Sequence, residues 1–180
     1  MEHPKSTAAY LQGFETVRLL IRPLCLADIA EWQLFFDDPL SDQFIPVAHI
    51  EGREAKARYM IEKQMGRYAE GSYGLQALIA KEDGVLVGIC GLLSQVIDDE
   101  PELEVGYHLR PTFRGKGYAT EAARFFRSYA SEQGLSKRIV SVIHKDNTAS
   151  QAVAIRNGLS FEKASMYGEM PIVIFAAWME

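Results

Sequence analysis

Glu102-Leu-Glu-Val-Gly-Tyr-His-Leu-Arg-Pro-Thr-Phe-Arg-Gly-Lys-Gly-Tyr-Ala119 is the stretch that decides the fold. Leu103 to Leu109 reads as a strand, Pro111 follows it, and Arg114-Gly115-Lys116-Gly117 is a short loop that opens a helix. Glycine lets backbone amides approach one another without Cβ interference. At a helix start the first N–H groups lack partners and the dipole is positive. Such a place suits a phosphate, although a glycine-rich turn that only reverses the chain would look the same. The loop is not a P-loop, which needs GxxxxGK followed by Ser or Thr. It is not a dinucleotide fingerprint either: after Gly115 and Gly117 the next required glycine is Thr120. ATP and NAD lose their support, and a different phosphate-bearing ligand is expected.

Upstream lies a meander. Leu75 to Ala80 is strand-like, Lys81-Glu82-Asp83-Gly84 is a hairpin turn, and Val85 to Leu93 is a strand interrupted by Gly88 and Gly91. Asp98-Asp99-Glu100-Pro101 reads as the next turn. Earlier, Val17, Leu19 and Ile21 alternate with Arg18, Leu20 and Arg22 as a strand. Ile29, Trp32 and Phe35 or Phe36 recur at helical spacing after Asp28, and a second amphipathic helix runs from about Gly52 to Tyr68. Downstream, Tyr118, Ala119, Ala122, Ala123, Phe126 and Tyr129 share one helical face, closed by Gly134. Ile139 to His144 is a strand, Thr148 to Arg156 a short helix, and Pro171 to Trp178 a last strand. The fold class is α/β (α+β mixed): one domain over 1–180, a central mixed, mostly antiparallel, twisted sheet flanked by helices. The stretch to about residue 15 is expected to be a loosely ordered extension.

Composition narrows the function. The chain has 180 residues, 48% hydrophobic and 24% charged, and suits one globular domain. Lys+Arg is 19 against Asp+Glu 24, a formal charge of −5, the wrong sign for a general nucleic-acid binder. No apolar run reaches the ~20 residues of a membrane span. MEHPKSTAAYLQGF has no apolar core of a secretory signal, so a cytoplasmic location is expected. Cys25 and Cys90 sit in apolar stretches and read as two buried free thiols. The scattered His3, His49, His108 and His144 give no metal ligand set, so no metal is expected.

Arg114-Gly-Lys-Gly-Tyr-Ala119 also resembles the Gln/Arg-x-x-Gly-x-Gly/Ala signature of the GNAT acetyl-CoA-dependent N-acetyltransferases. The resemblance extends to Glu15–Leu24, Val87–Leu92, Glu104–Pro111, Asn147–Ser150 and Asn157–Phe161, and is similar to the branch that includes ribosomal-protein N-terminal acetyltransferases. It implies a GNAT-like fold with splayed fourth and fifth strands, here Glu104–Leu109 and Ile139–His144. It implies acetyl-CoA as donor, with its pyrophosphate on Arg114, Gly115, Lys116, Gly117, Tyr118 and Ala119. Its pantetheine arm would pair with Tyr107, His108 and Leu109 as an added strand. Lys116 points to solvent or to the terminal phosphate. Asn147 and Ser150 lie beside the thiol end, and Asn147 also reads as a helix N-cap. Where many members carry a tyrosine acid, this chain has Ala154; the alternatives are Ser150, a water or Tyr167 as donor, or departure of the thiolate without one.

The reaction needs a neutral amine. An α-amino group of pKa ~7.7–8.0 is about a tenth neutral at pH 7, whereas a lysine-like amine at ~10.4 needs a base. Glu102 and Glu104 are the candidate bases and share a strand face with His108. Glu104 is expected to face the acceptor, Glu102 reads first as a solvated carboxylate, and His108 reads either as a base or as a packed strand residue that contributes only its backbone. The acceptor walls are expected in Trp32–His49 and Met166–Met170, with an amine on a peptide N-terminus or small molecule as partner. Neither nucleic acid nor membrane is expected, and the chain is a monomer or homodimer. The competing expectation is a non-catalytic acyl-CoA-binding module.

Overall fold

A computed structural model of the chain describes residues 7–179. Its strands are β1 (Phe14–Glu15), β2 (Leu19–Pro23), β3 (Leu75–Ala80), β4 (Leu86–Ile97), β5 (Glu100–Leu109), β6 (Arg138–His144), β7 (Ser160–Tyr167) and β8 (Met170–Trp178). The helices are α1 (Ile29–Trp32), α2 (Arg53–Ala69), α3 (Tyr118–Glu132) and α4 (Thr148–Arg156). One eight-stranded sheet has the order β1-β2-β3-β4-β5-β6-β8-β7, and the β5–β6 pair is parallel while its other neighbours are antiparallel. Among the described residues no helix is long and apolar enough to cross a membrane.

Alternation along the central strands sorts the core onto both faces of the sheet. Val87, Cys90, Leu92, Leu103 and Val105 pack on the α3 stripe of Ala122, Ala123 and Phe126. Leu75, Ala77, Leu86, Ile89 and Leu93 pack on Trp32, Phe35, Ala57, Met60 and Ile61 from the α1–α2 side. Burial on both faces explains why β3 and the first part of β4 read as continuous apolar runs.

The structure departs from the sequence expectations in four places. Asp98 and Asp99 both have positive φ (51° and 64°), so the β4–β5 turn is a two-residue one. Both strands therefore run on, and Pro101 lies inside β5 opposite Val96. Strand β7 was not anticipated: nearly all its side chains are exposed, which leaves no inside–outside alternation to read. Cys90 is buried, but Cys25 is an exposed free thiol.

The fourth departure is the expected loose extension. Residues 1–6 lie outside the described residues, but Tyr10 is fully buried. Its Oη donates to the Gly74 carbonyl (2.7 Å) and accepts from the Leu92 N–H (2.8 Å), while Gln76 donates to the Tyr10 carbonyl (2.8 Å). Gly91 makes the room, since a Cβ there would stand 2.5 Å from that Oη. Tyr10→Phe leaves a buried N–H and a buried carbonyl short of a partner, so the variant should unfold ~1–3 kcal/mol more easily by urea titration. An unchanged midpoint would mean that water replaces the hydroxyl.

Candidate active site

Strands β5 and β6 meet at a single pair, Glu104↔Val140, and then part. Side chains occupy the main-chain groups that a continued ladder would have used. The Ser141 hydroxyl donates to the Val105 carbonyl (3.0 Å), and the Val142 N–H donates to the Glu104 carboxylate. Arg110 N–H pairs back to Val87, so by alternation the main-chain groups of Tyr107 and the N–H of Leu109 point away from β4, into the gap. The gap opens into a cavity of about 1300 Å³ whose walls include Glu104–Leu109, Ser141–His144, Asn147 and Ser150.

The glycine loop closes one end. Gly115 and Gly117 have φ of 74° and 84°, a region costly to other residues, and Gly117 is the N-cap of α3. The sequence reading missed what braces the loop. Thr16 Oγ1 and the Arg18 N–H donate to Glu121 Oε1 (2.6 and 2.8 Å), and Arg18 Nε donates to Glu121 Oε2 (2.6 Å). Arg18 Nη1 then holds the Lys116 carbonyl (2.8 Å), and its guanidinium lies 4.5 Å from the Tyr118 ring centroid. The only trace in sequence is a Thr-x-Arg at a strand start and a Glu in a first helical turn. Lys116 Nζ lies over the Phe113 ring at 5.3 Å, and Ala119 is buried. Arg124 and Arg156 add positive charge to the cavity wall, also unanticipated.

Arg114 turns its side chain away from the loop. It donates to the Leu109 carbonyl (3.1 Å), Asp38 (2.8 Å) and Ser41 Oγ (2.8 Å) and lies 5.6 Å over Phe35. The glycine loop and the 38–45 segment are thus tied by one guanidinium.

Asn147 caps α4 by accepting from the Ser150 N–H (3.1 Å). Ser150 reaches the cavity, but its carbonyl accepts from Tyr107 Oη (2.7 Å). Ala154 is buried, and the Tyr107 phenol from β5 reaches α4 through that bond. Burial pushes the Tyr107 phenol up, so it stays protonated at neutral pH.

Glu104 is 7% exposed, faces the cavity and accepts from Gln95 (2.9 Å). Burial raises its carboxyl above the ordinary glutamate range against the pull of those two hydrogen bonds. Glu102 is a correction. It lies outside the cavity and accepts from Arg138 Nε (3.0 and 3.1 Å), which also holds Glu162. A carboxylate committed to a guanidinium is stabilised as an anion and is a poor base. His108 is corrected as a base as well: burial and the Arg114 charge lower its pKa to about 4, so it is a neutral ring at pH 7.

The acceptor walls divide. Phe35, Leu40, Phe44 and Ile45 line the cavity, as the first expected segment requires, while Trp32 is core. Residues 166–170 do not line it. Met166 is 55% exposed on β7, so that wall and a Tyr167 acid are not supported. Among the described residues no cluster of three or more His, Cys, Asp or Glu could hold a metal.

Comparison with known proteins gives a consistent picture. The model of the acetyltransferase (GNAT) domain matches residues 18–160. An uncharacterized N-acetyltransferase p20 of Bacillus licheniformis is 29% identical over 157 residues, covering 87% of this chain and 85% of its own. An acetyltransferase structure from Agrobacterium tumefaciens superposes with TM-score 0.76 at 23% identity, covering 92% and 93% of the two chains. RimL, a ribosomal L7/L12 alpha-N-protein acetyltransferase in complex with coenzyme A, gives TM-score 0.74 at 18% identity, covering 91% and 96%.

Proposed function

Since the chain belongs to the acetyltransferase (GNAT) domain family, we propose that it transfers an acetyl group from acetyl-CoA directly to a primary amine. One observation carries this reading: the open main-chain edge of β5 runs into the glycine loop, with Glu104 buried beside it. The residues fit the donor. The edge at Tyr107 and Leu109 suits a strand-like arm, the Gly115–Gly117 amides suit a pyrophosphate, and Asn147 and Ser150 border the same cavity. Acetyl-CoA supplies an activated acyl group with a thiolate leaving group.

The chain's own groups do the rest. Glu104 takes the proton of the incoming ammonium, and the N–H of Tyr107 or Leu109 donates to the acyl oxygen. The acceptor is an α-amino group on a peptide or small molecule, because the site holds one candidate base and no tyrosine at position 154. Two free thiols suit a cytoplasmic location.

Ala154 keeps a second reading in view, a binding module without turnover. Thiol release over a panel of amines, run beside acetyl-CoA calorimetry, separates the two. Turnover with at least one amine is expected; tight binding with no turnover on any amine supports the module instead.

A further inference from the structure

We infer that the acceptor is a monoamine whose nitrogen is carried on an aromatic or branched apolar group; this deepens, and rests on, the acetyltransferase reading above. The acceptor end of the cavity is walled by Phe35, Leu40, Phe44, Ile45, Leu93 and His144. Phe35 is fixed by stacking on Trp32 (4.7 Å between centroids), and Phe44 lies against the His144 ring at 5.0 Å. The Phe44–His144 contact lets the 38–45 segment reach across to β6. The segment is strapped down at Asp38 and Ser41 by Arg114 and at Asp42 by Lys56. The slot is therefore ring-lined and held in shape before a substrate arrives.

The carboxylates of the cavity are already paired, with one exception. Of its three carboxylates, Asp38 is paired with Arg114 and Glu121 with Arg18. Glu104 alone of the three makes no ion pair: Gln95 and the Val142 N–H hold it, and Arg67 acts on it only through its charge. One ammonium can thus be matched inside the cavity. A second, a few bonds farther along a polyamine or a diamine, would lie against Phe44, Ile45 and Leu93 with no anion to meet it. An apolar body in the same place gains by leaving water. A free aromatic amino-acid amide and a peptide with an apolar first residue both present this chemistry.

The test uses the full chain with acetyl-CoA and three acceptors: phenylalanine amide, a peptide beginning with Phe, and spermidine. Acetyl-CoA binding is measured first. At least one of the two apolar amines should exceed spermidine at least tenfold in kcat/KM, and which one does identifies the source. Phe44→Asp should shrink that ratio at least tenfold with acetyl-CoA affinity unchanged. Leu40→Asp, at a side chain 63% exposed, should shift it the same way without risk to folding. A wild-type preference for spermidine, a ratio unmoved by both variants, or no turnover of either apolar amine overturns the inference. Failure of acetyl-CoA to bind, or binding with no turnover of any of the three amines, instead overturns the acetyltransferase reading.

Discussion

Gly117→Val should weaken acetyl-CoA binding by at least 100-fold while the chain remains folded. Two effects combine at this position. The backbone stands at φ 84°, where a β-branched residue is strained. A Cβ there would also come 3.3 Å from Arg18 Nη2 and so disturb the guanidinium that holds the Lys116 carbonyl. A 100-fold loss corresponds to ~2.7 kcal/mol, within reach of backbone strain plus a displaced brace. Gly115→Ala is the natural comparison, because φ is 74° but a Cβ meets nothing within 4 Å. It should lose less. Calorimetry with acetyl-CoA, with circular dichroism for folding, reads both variants. Equal affinity in wild type and Gly117→Val would remove the loop from the binding site.

Glu104→Gln should lower kcat/KM by ~10²–10⁴, the usual worth of a positioned base. Acetyl-CoA affinity should change no more than a few-fold, since Gln can still accept from Val142. The pH dependence has a definite sign. Burial raises the Glu104 pKa, so its base form gains with rising pH, and the wild-type acid limb should lie above the ordinary glutamate range. That limb should vanish in the variant. A carboxyl with a raised folded-state pKa contributes its stability below the unfolded pKa and loses it as pH rises through the folded one. Removing its charge therefore does not cost the fold at neutral pH, and a slow variant is not an unfolded one. A variant as fast as wild type, with the same profile, would hand the proton to water.

What the sequence disclosed and what it hid have different physical origins. Periodicity and turn chemistry are local, so α2, α3, α4 and the meander were legible from Ala57, Ala122, Asn147 and Gly84. The glycine loop was legible because Arg114–Ala119 fits a family signature that other segments carry in register; the two glycines alone read equally well as a turn. Partners distant in sequence were not. Arg18 meets Glu121 across the fold, Glu102 meets Arg138, and Arg114 reaches back to Asp38. Each side chain read alone is only a charged surface residue, so Glu102 could look like a base and Arg114 like a phosphate ligand. Tyr10 was hidden differently. Its burial depends on the space left by Gly91, which no local pattern near the N-terminus reveals.

Amide hydrogen exchange in the presence and absence of acetyl-CoA reads the proposed geometry at the groups that make it. Tyr107, Leu109 and the amides of 115–119 should exchange more slowly when acetyl-CoA is bound, while the solvent-facing amides of β7 remain unchanged. Protection confined to other strands, or no protection at Tyr107 and Leu109 under saturating acetyl-CoA, would contradict binding along the open edge of β5.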